Sequence, residues 1–241
     1  MDGNFKPYDY VKSSDRIREI LNQPSGAFEE VDSLPDRDKL TYTNGYYAKC
    51  SAVFVDIRDS SGLTETYKRP TLAKIYRAFI SEMVAVLNSD ELVREVNIVG
   101  DCVWASYNTP LKSDINRVFS ITSQANTLLK LLNHHFEKKC INPLRIGIGV
   151  DYGRVLMIKA GYAGSGINDV IYMGDVINRA AHLGHEAGRN GNDPIIIGSW
   201  FQTNLDDHNK SLLTQTWINE LGTVYRGNFV RTEMNNWIAD L

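Results

Sequence analysis

The sequence predicts an α+β sandwich, in which helices pack on one mainly antiparallel sheet. Short runs of β-forming residues alternate with two long amphipathic helical patterns. Two pairs of predicted strands are separated only by short turns, which favours antiparallel neighbours. Interleaved helices and hairpins of this kind are typical of the ferredoxin-like arrangement, here with extensions.

Composition and charge limit the classes of protein to consider. The chain has 241 residues, of which 43% are hydrophobic and 23% charged, an ordinary globular composition. Its formal net charge of -3 gives no support for a nucleic-acid partner. Three cysteines at spacings unlike a zinc or disulfide framework fit a reducing compartment. No apolar stretch could cross a bilayer and no signal-peptide pattern stands at the start, so we expect a cytoplasmic protein without a membrane partner.

The beginning of the chain differs in character from the rest. Residues 1–40 are polar and interrupted by three prolines, with one short amphipathic segment over residues 15–21. We interpret residues 1–40 as an N-terminal arm and residues 41–241 as the main domain.

A small hairpin is predicted at the start of that domain. Asn44 and Gly45 stand between β-prone flanks, the strongest short-range hairpin signal. The hairpin would carry Tyr46 and Tyr47. Such tyrosines usually pack against the fold or an interface, although one of them could instead stack on a flat ligand.

A carboxylate is predicted at the end of the strand that follows. Apolar β-forming residues 52–55 lead to Asp56 and Ile57, and a helical pattern begins after Ser60-Ser61-Gly62. Asp56 therefore faces a helix N-terminus, where unpaired N–H groups attract phosphate.

A second carboxylate stands at the tip of a predicted hairpin. An amphipathic helix over residues 70–87 separates the first strand from two apolar runs that flank Gly100-Asp101, a dipeptide typical of a tight turn. If the strands are neighbours in one sheet, Asp56 and Asp101 converge.

Two converging carboxylates repel each other unless they share a proton or hold a cation. Oxygen ligands of this kind suit Mg²⁺ or Mn²⁺, which take their remaining ligands from water and substrate phosphates. Beside a phosphate-binding turn, the pair indicates phosphoryl or nucleotidyl transfer. The structural alternative is that Asp56 caps the next helix and Asp101 is only a favoured turn residue.

The second half of the chain continues the alternation. A helix is predicted over residues 114–136, a strand over 144–150, a turn at 152–154 and a strand over 155–159. A glycine-rich loop over 161–166 follows.

A second set of candidate residues lies on a predicted helix over residues 176–185. Asn178 and His182 are four residues apart and share a face, so both can reach one ligand, whereas Arg179 points about a quarter turn away. After a strand over residues 194–197 and a helix near 201–205, two antiparallel strands close the chain at 217–221 and 223–230. Arg226 and Arg231 lie on or beside the last strand.

Four motifs in order give the chain a family resemblance. They are VFVDI with the following phosphate turn, IVGDCVWA, LRIGIGVDYG and YMGDVINRAAHL. Together they resemble the catalytic domain of class III nucleotidyl cyclases over roughly residues 46–235, which implies that residues 41–241 are a cyclase catalytic domain.

The resemblance implies roles for several residues. Asp56 and Asp101, with the carbonyl of Ile57, would bind two Mn²⁺ or Mg²⁺ ions per site. One ion would lower the pKa of the ribose 3′-hydroxyl of a nucleoside triphosphate, and the other would hold the triphosphate. Asn178 would orient the ribose. Family sites form between two protomers, so a symmetric homodimer with two sites is implied.

Two departures from the purine cyclases concern the base. Asn97 stands where those enzymes place a base-reading Lys, and Ile171 stands where they place a polar partner. The DIRDSSG segment, the tyrosines and the absent purine-reading residues together resemble the pyrimidine cyclases of bacterial Pycsar anti-phage defence. Those enzymes make cyclic UMP or cyclic CMP for a separate effector protein. Tyr46 or Tyr47 would then stack on the base while Asn97 reads its edge.

A third departure concerns the transition state. His182 stands where the family usually has Arg, so protonated His182, Arg179, Arg226 or Arg231 would have to supply the positive charge. A purine cyclase with an atypical base pocket and a non-catalytic nucleotide sensor remain as alternatives.

Overall fold

The computed structural model describes residues 2–241, in which one nine-stranded sheet carries helices on both faces. The helices are α1 (Tyr10–Leu21), α2 (Ser60–Thr66), α3 (Arg69–Leu87), α4 (Lys112–Glu137), α5 (Asp175–Glu186), α6 (Ser199–Thr203), α7 (Asp207–Ser211) and α8 (Thr232–Ala239). The strands are β1 (Phe28–Glu30), β2 (Gly45–Ile57), β3 (Val93–Val99), β4 (Cys102–Asn108), β5 (Ile146–Tyr162), β6 (Ile167–Met173), β7 (Ile195–Gly198), β8 (Thr214–Ile218) and β9 (Gly222–Gly227).

The sheet is mainly antiparallel, and its long central strands are β2 and β5. The strand order is β3-β4-β2-β5-β7-β9-β8, with β1 beside β2 and β6 beside β5. Only β1 with β2 and β5 with β7 are parallel pairs among the described residues. The predicted α+β fold with a mainly antiparallel sheet is therefore confirmed.

The two faces of the sheet are covered differently. Side chains of β2 that point to one face, such as Val53 and Val55, form the larger core with α3 and α4. The opposite face of the central strands packs against α5 in a second core. We call this second side, which includes Phe54 and Asp56, the α5 face of the sheet.

Glycines on β5 let α5 approach the sheet closely. A Cβ atom at Gly149 would lie 2.0 Å from the Gly184 nitrogen and 2.1 Å from the Ala180 carbonyl oxygen, distances that no side chain tolerates. Gly149 pairs with Phe54, so α5 runs directly over the central strands. This contact fixes the position of α5 relative to Asp56.

The predicted hairpin at Asn44-Gly45 is wrong. The side chain of Asn44 accepts a hydrogen bond from the Thr41 amide at 2.7 Å and donates one to the Lys39 carbonyl at 2.9 Å, which closes a bend before β2. From Gly45 onward the chain pairs with β5 and β1 instead of folding back on its own flank. The tyrosines thus lie at the start of the central strand.

The predicted turn at residues 152–154 is also wrong. Gly153 pairs with Cys50 in the middle of an unbroken register between β5 and β2, so the two strands predicted at 144–150 and 155–159 form one strand, which begins at Ile146. The helix over residues 232–239 was not predicted. The division at residue 40 remains a prediction, although Leu34 and Leu40 are buried in the second core.

Along the described part of the chain, residues 2–241, every helix is too short or too polar to cross a membrane.

Candidate active site

Asp56 and Asp101 lie together at one end of the sheet. Asp56 is paired with Cys102 across β2 and β4, and Asp101 directly precedes Cys102 in a turn that Gly100 makes at a φ of 64°. Burial, and next the charge of Asp101, raise the pKa of Asp56. The sequence-based prediction that the two carboxylates converge agrees with this geometry.

The donor set fits a magnesium or manganese site that substrate completes. The described residues 2–241 contain no cluster of three or more His, Cys, Asp or Glu side chains able to enclose a metal. Two carboxylates and a main-chain carbonyl such as that of Ile57 leave several positions to water and phosphate oxygens, as Mg²⁺ prefers. A cation would also relieve the repulsion that raises the pKa of Asp56.

The predicted phosphate turn is the first turn of α2. Ser60 and Ser61 open the helix, where N–H groups have no partner within the helix. The Gly62 amide already donates to the Asp59 carbonyl at 3.0 Å, so it is less available to a ligand. Nothing lies within 4 Å of a Cβ atom at Gly62, which leaves the turn open.

Tyr76 on α3 is a neighbour of this turn that sequence reasoning missed. Burial, and then the charge of Asp101, raise the pKa of its phenol, which also lies beside Ser60. The helical periodicity assigned Tyr76 only to the apolar face of α3, so the pattern gave no signal of this location.

Asn178 and His182 lie on one exposed side of α5, but the fold does not bring them to the carboxylates of the same chain. The C-terminal turn of α5 lies beside Asp56, because Arg58 contacts both Asp56 and the His185 carbonyl. Asn178 comes two turns earlier, about 10 Å along the helix at ~1.5 Å per residue. Within one chain, the two sets of residues therefore lie apart.

Arg179 is held away from that exposed side. Its Nε atom donates to Asp151 at 3.0 Å, and the Asp151 side chain is 2% exposed. A buried carboxylate that lost this partner would be unpaired, so the ion pair has a structural role. The structure does not bring Arg179 to Asn178 and His182.

The two late arginines lie in different places. Arg226 pairs with Asp193 at 3.6 Å and donates to the Gly191 carbonyl at 3.3 Å, in the loop after α5. Arg231 donates to Ser120 on α4, which covers the opposite face of the sheet. Arg231 is thereby separated from the α5 face.

Tyr46 and Tyr47 do not lie beside Asn97 in one chain. They start β2, nine or ten residues before Asp56, on the order of 30 Å at ~3.3 Å per residue in a straight strand. The Arg154 guanidinium stacks on Tyr47 at 4.0 Å. Within a protomer, these tyrosines therefore do not come together with Asn97, and their role in base binding remains a prediction.

Different aromatic rings accompany Asn97. Asn97, Trp104 and Phe54 are successive cross-strand partners in β3, β4 and β2, so they share the α5 face with Asp56. The Trp104 and Phe54 rings stack with centroids 5.1 Å apart, and Tyr172 meets the Trp104 edge at 6.3 Å. The two-residue alternation of β2 put Phe54 on the side of Asp56, a signal that sequence analysis did not use.

Known proteins place this arrangement in a family. Residues 43–191 match the family described as the adenylate and guanylate cyclase catalytic domain. A uridylate cyclase of Gulbenkiania mobilis is 40% identical, covering 100% of this chain and 99% of that protein. A uridylate cyclase of Treponema porcinum is 38% identical, with coverage of 96% and 81%.

A solved structure agrees on the fold. The adenylyl cyclase CyaB from P. aeruginosa superposes with a TM-score of 0.63 at 20% identity, covering 76% of this chain and 95% of that one. With the carboxylate pair, the Asn178 helix and a family match over most of the catalytic motifs, the chain belongs to the class III nucleotidyl cyclases, the adenylate and guanylate cyclase catalytic domain family.

Proposed function

We propose that this chain is a pyrimidine nucleotide cyclase that converts UTP to 3′,5′-cyclic UMP and pyrophosphate, with CTP as the alternative substrate. The observation that carries the proposal is the row of Asn97, Trp104 and Phe54 beside Asp56. A neutral amide stands at the base-reading position, and stacked rings occupy space beside it. The uridylate cyclases that resemble this chain over nearly its whole length support the same substrate class.

The surroundings of Asn97 favour uracil over cytosine. An Asn amide can donate and accept, so it complements the edge of either base. Glu95 lies two residues before Asn97 on the same strand, with its side chain 9% exposed, and a free carboxylate there would accept from the cytosine amino group. Arg37 occupies both Glu95 oxygens, with Nη1 at 2.6 and 2.8 Å. Each oxygen of the carboxylate is therefore already engaged by a charged donor, which disfavours its use by a cytosine amino group.

Asp56, Asp101 and the Ile57 carbonyl would hold two Mg²⁺ or Mn²⁺ ions. When bound, the ions would activate the ribose 3′-hydroxyl and offset the charge of the triphosphate. The side chains contribute two fixed negative charges at one end of the sheet, and the Ser60 and Ser61 amides of α2 add donors toward phosphate oxygens. Pyrophosphate would leave from the α-phosphorus as the 3′-oxygen attacks in line.

The remaining catalytic groups would come from a second copy of the chain. Asn178 lies two turns away from the carboxylates of its own chain and points outward, so it would orient the ribose at the partner's metal site. His182 on the same side would stabilise the developing negative charge when protonated. Arg226, which is paired with Asp193, would act only after leaving that pair. A symmetric homodimer then has two composite sites.

The resemblance to Pycsar cyclases extends the proposal to a biological role. The cyclic pyrimidine nucleotide would be an alarm signal in anti-phage defence, read by a separate effector protein. Three free cysteines, one of them exposed, fit a reducing cytoplasm as the place of synthesis.

A substrate panel tests the proposal. Purified protein with Mn²⁺ or Mg²⁺ and each of ATP, GTP, CTP and UTP should give cyclic UMP as its main product by mass spectrometry, because the pocket is filled and neutral. Asp56→Ala should abolish the product. Cyclic AMP or cyclic GMP would contradict the pocket argument and support an atypical purine cyclase, and no product from any nucleotide would favour the sensor alternative.

Releasing Glu95 should shift the preference between the two pyrimidines. In Arg37→Met the Glu95 carboxylate is freed to accept from the cytosine amino group, so the ratio of kcat/KM for CTP over UTP should rise about tenfold, within the range of one specific base contact. Arg117→Met, which removes an exposed ion pair with Asp90, is the matched control and should leave the ratio unchanged. An unchanged ratio in Arg37→Met would exclude Glu95 from base selection.

Removing the charge of Asp56 should stabilise the metal-free fold while preventing metal binding. The folded pKa of Asp56 is raised, so its favourable contribution is present at low pH and is lost as pH rises through that pKa. Asp56→Asn should therefore raise the Tm at pH 7 by on the order of 2 °C and weaken its pH dependence. Mn²⁺ should raise the Tm of the wild type but not of the variant. Glu91→Gln removes an exposed carboxylate and is the control for the loss of one negative charge. A lower Tm in Asp56→Asn than in the wild type would contradict the prediction that ionised Asp56 destabilises the metal-free fold.

Two inactive variants should complement each other in one dimer. Asp56→Asn lacks the metal half-site and Asn178→Ala lacks the ribose half-site, so a mixed dimer holds one site with both defects and one intact site. Differently tagged chains purified as heterodimers should show about half of the wild-type activity per dimer. Heterodimers as inactive as either parent would refute the shared site.

A further inference from the structure

Arg58 is a buried cation that the proposed reaction does not use. Its side chain is 1% exposed, and it is the only buried lysine or arginine within residues 2–241. A charge removed from water in this way requires compensating partners. The partners of Arg58 are the Asp56 carboxylate and the C-terminal turn of α5, the helix that carries Asn178.

One set of partners is the C-terminal turn of α5. Nη2 donates to the Gly184 carbonyl at 2.6 Å, and Nη1 donates to the His185 carbonyl at 3.1 Å. The last carbonyl groups of a helix lack partners within the helix and carry the negative end of its dipole. A guanidinium that donates to two of them holds this end of α5 in place.

The other partner is the metal-site carboxylate. Nη2 lies 3.5 Å from Oδ2 of Asp56, so the same nitrogen contacts the helix and the carboxylate. The backbone makes room for it: a Cβ atom at Gly147, the cross-strand partner of Asp56, would lie 2.3 Å from Nη2. Arg189 is a second cation near Asp56 and Arg58, and its positive charge repels that of Arg58.

We propose that Arg58 is a positioning residue that ties the helix carrying Asn178 to the carboxylate end of β2, so that the two half-sites of one protomer keep a fixed relation. This inference rests on the proposed function for the roles of Asp56 and Asn178. In a dimer with shared sites, Asp56 serves one site and Asn178 the other, so Arg58 links the two sites through a single side chain.

The link has an electrostatic consequence for cation binding. Arg58 and a divalent cation both interact with Asp56, and both are positive, so Arg58 opposes binding of the cation. Neutralising residue 58 should tighten Mn²⁺ binding, whereas a lysine should keep the opposing charge but lose the double contact with α5. Comparing the two substitutions therefore distinguishes the effect of the positive charge at residue 58 from the effect of the several hydrogen-bond donors of the guanidinium.

The test uses the full-length protein and needs no turnover. Amide hydrogen exchange of residues 180–189 is measured without metal, and Mn²⁺ affinity is measured by titration without nucleotide, for wild type, Arg58→Lys, Arg58→Met and the control Arg117→Met. Exchange in the α5 segment should be at least about tenfold faster in both Arg58 variants, since each loses a charge-assisted contact with a helix carbonyl. Mn²⁺ affinity should rise several-fold in Arg58→Met and stay within about twofold of wild type in Arg58→Lys.

The outcomes distinguish this inference from the proposed function. Exchange of α5 as slow as in wild type in both Arg58 variants, or Mn²⁺ affinity that does not rise in Arg58→Met, would overturn the positioning role even if the enzyme makes cyclic UMP. Both predicted changes would support the role even if no nucleotide were cyclised. If Arg58→Met fails to fold, Arg58→Lys alone decides: faster exchange confined to residues 180–189 supports the inference, and faster exchange spread over the whole domain, as expected of a merely structural residue, overturns it.

Discussion

Two like charges held together at one end of the sheet determine the character of the site. Asp56 and Asp101 cannot separate, because the register of β2 and β4 fixes one and the Gly100 turn fixes the other. The burial of Asp56, and next the charge of Asp101, raise the pKa of Asp56, so the metal-free protein keeps an unfavourable arrangement that a divalent cation would relieve. Carboxylates fixed in this way could hold a cation without rearranging during a reaction.

The position of α5 separates this carboxylate pair from Asn178 of the same chain. Because Gly149 has no side chain, α5 lies directly on the central strands, with its C-terminal turn beside Asp56 and its Asn178 turn farther away. The helix cannot rotate to bring Asn178 inward without placing side chains against the sheet. Under the proposed function, a second copy of the chain would supply the missing groups.

Local sequence patterns predicted most of the fold and the carboxylate end of the site. They failed where strand pairing between distant segments determines the structure. The carboxylates were predictable because each directly follows, or turns between, short apolar strands. Asn44-Gly45 resembled a hairpin turn, but β5 offered a longer pairing surface for residues 45–57 than the local flank did. The same pairing places Tyr46 and Tyr47 at the opposite end of β2 from Asp56. Arg58 and Trp104 could not be assigned from sequence, because their roles depend on α5 and on cross-strand neighbours.

Under the proposed function, selection among nucleotides would depend on the groups that the α5 face lacks. The Phe54 and Trp104 rings would exclude a larger base by volume, and Asn97 would lack the charged donor of a lysine. Neither change separates uracil from cytosine, since an amide accommodates both. Under the proposed function, the ion pair between Arg37 and Glu95 would do so, because it engages the carboxylate that could otherwise accept from the cytosine amino group. The segment before residue 40 would then contribute to specificity through an ion pair that does not contact the base.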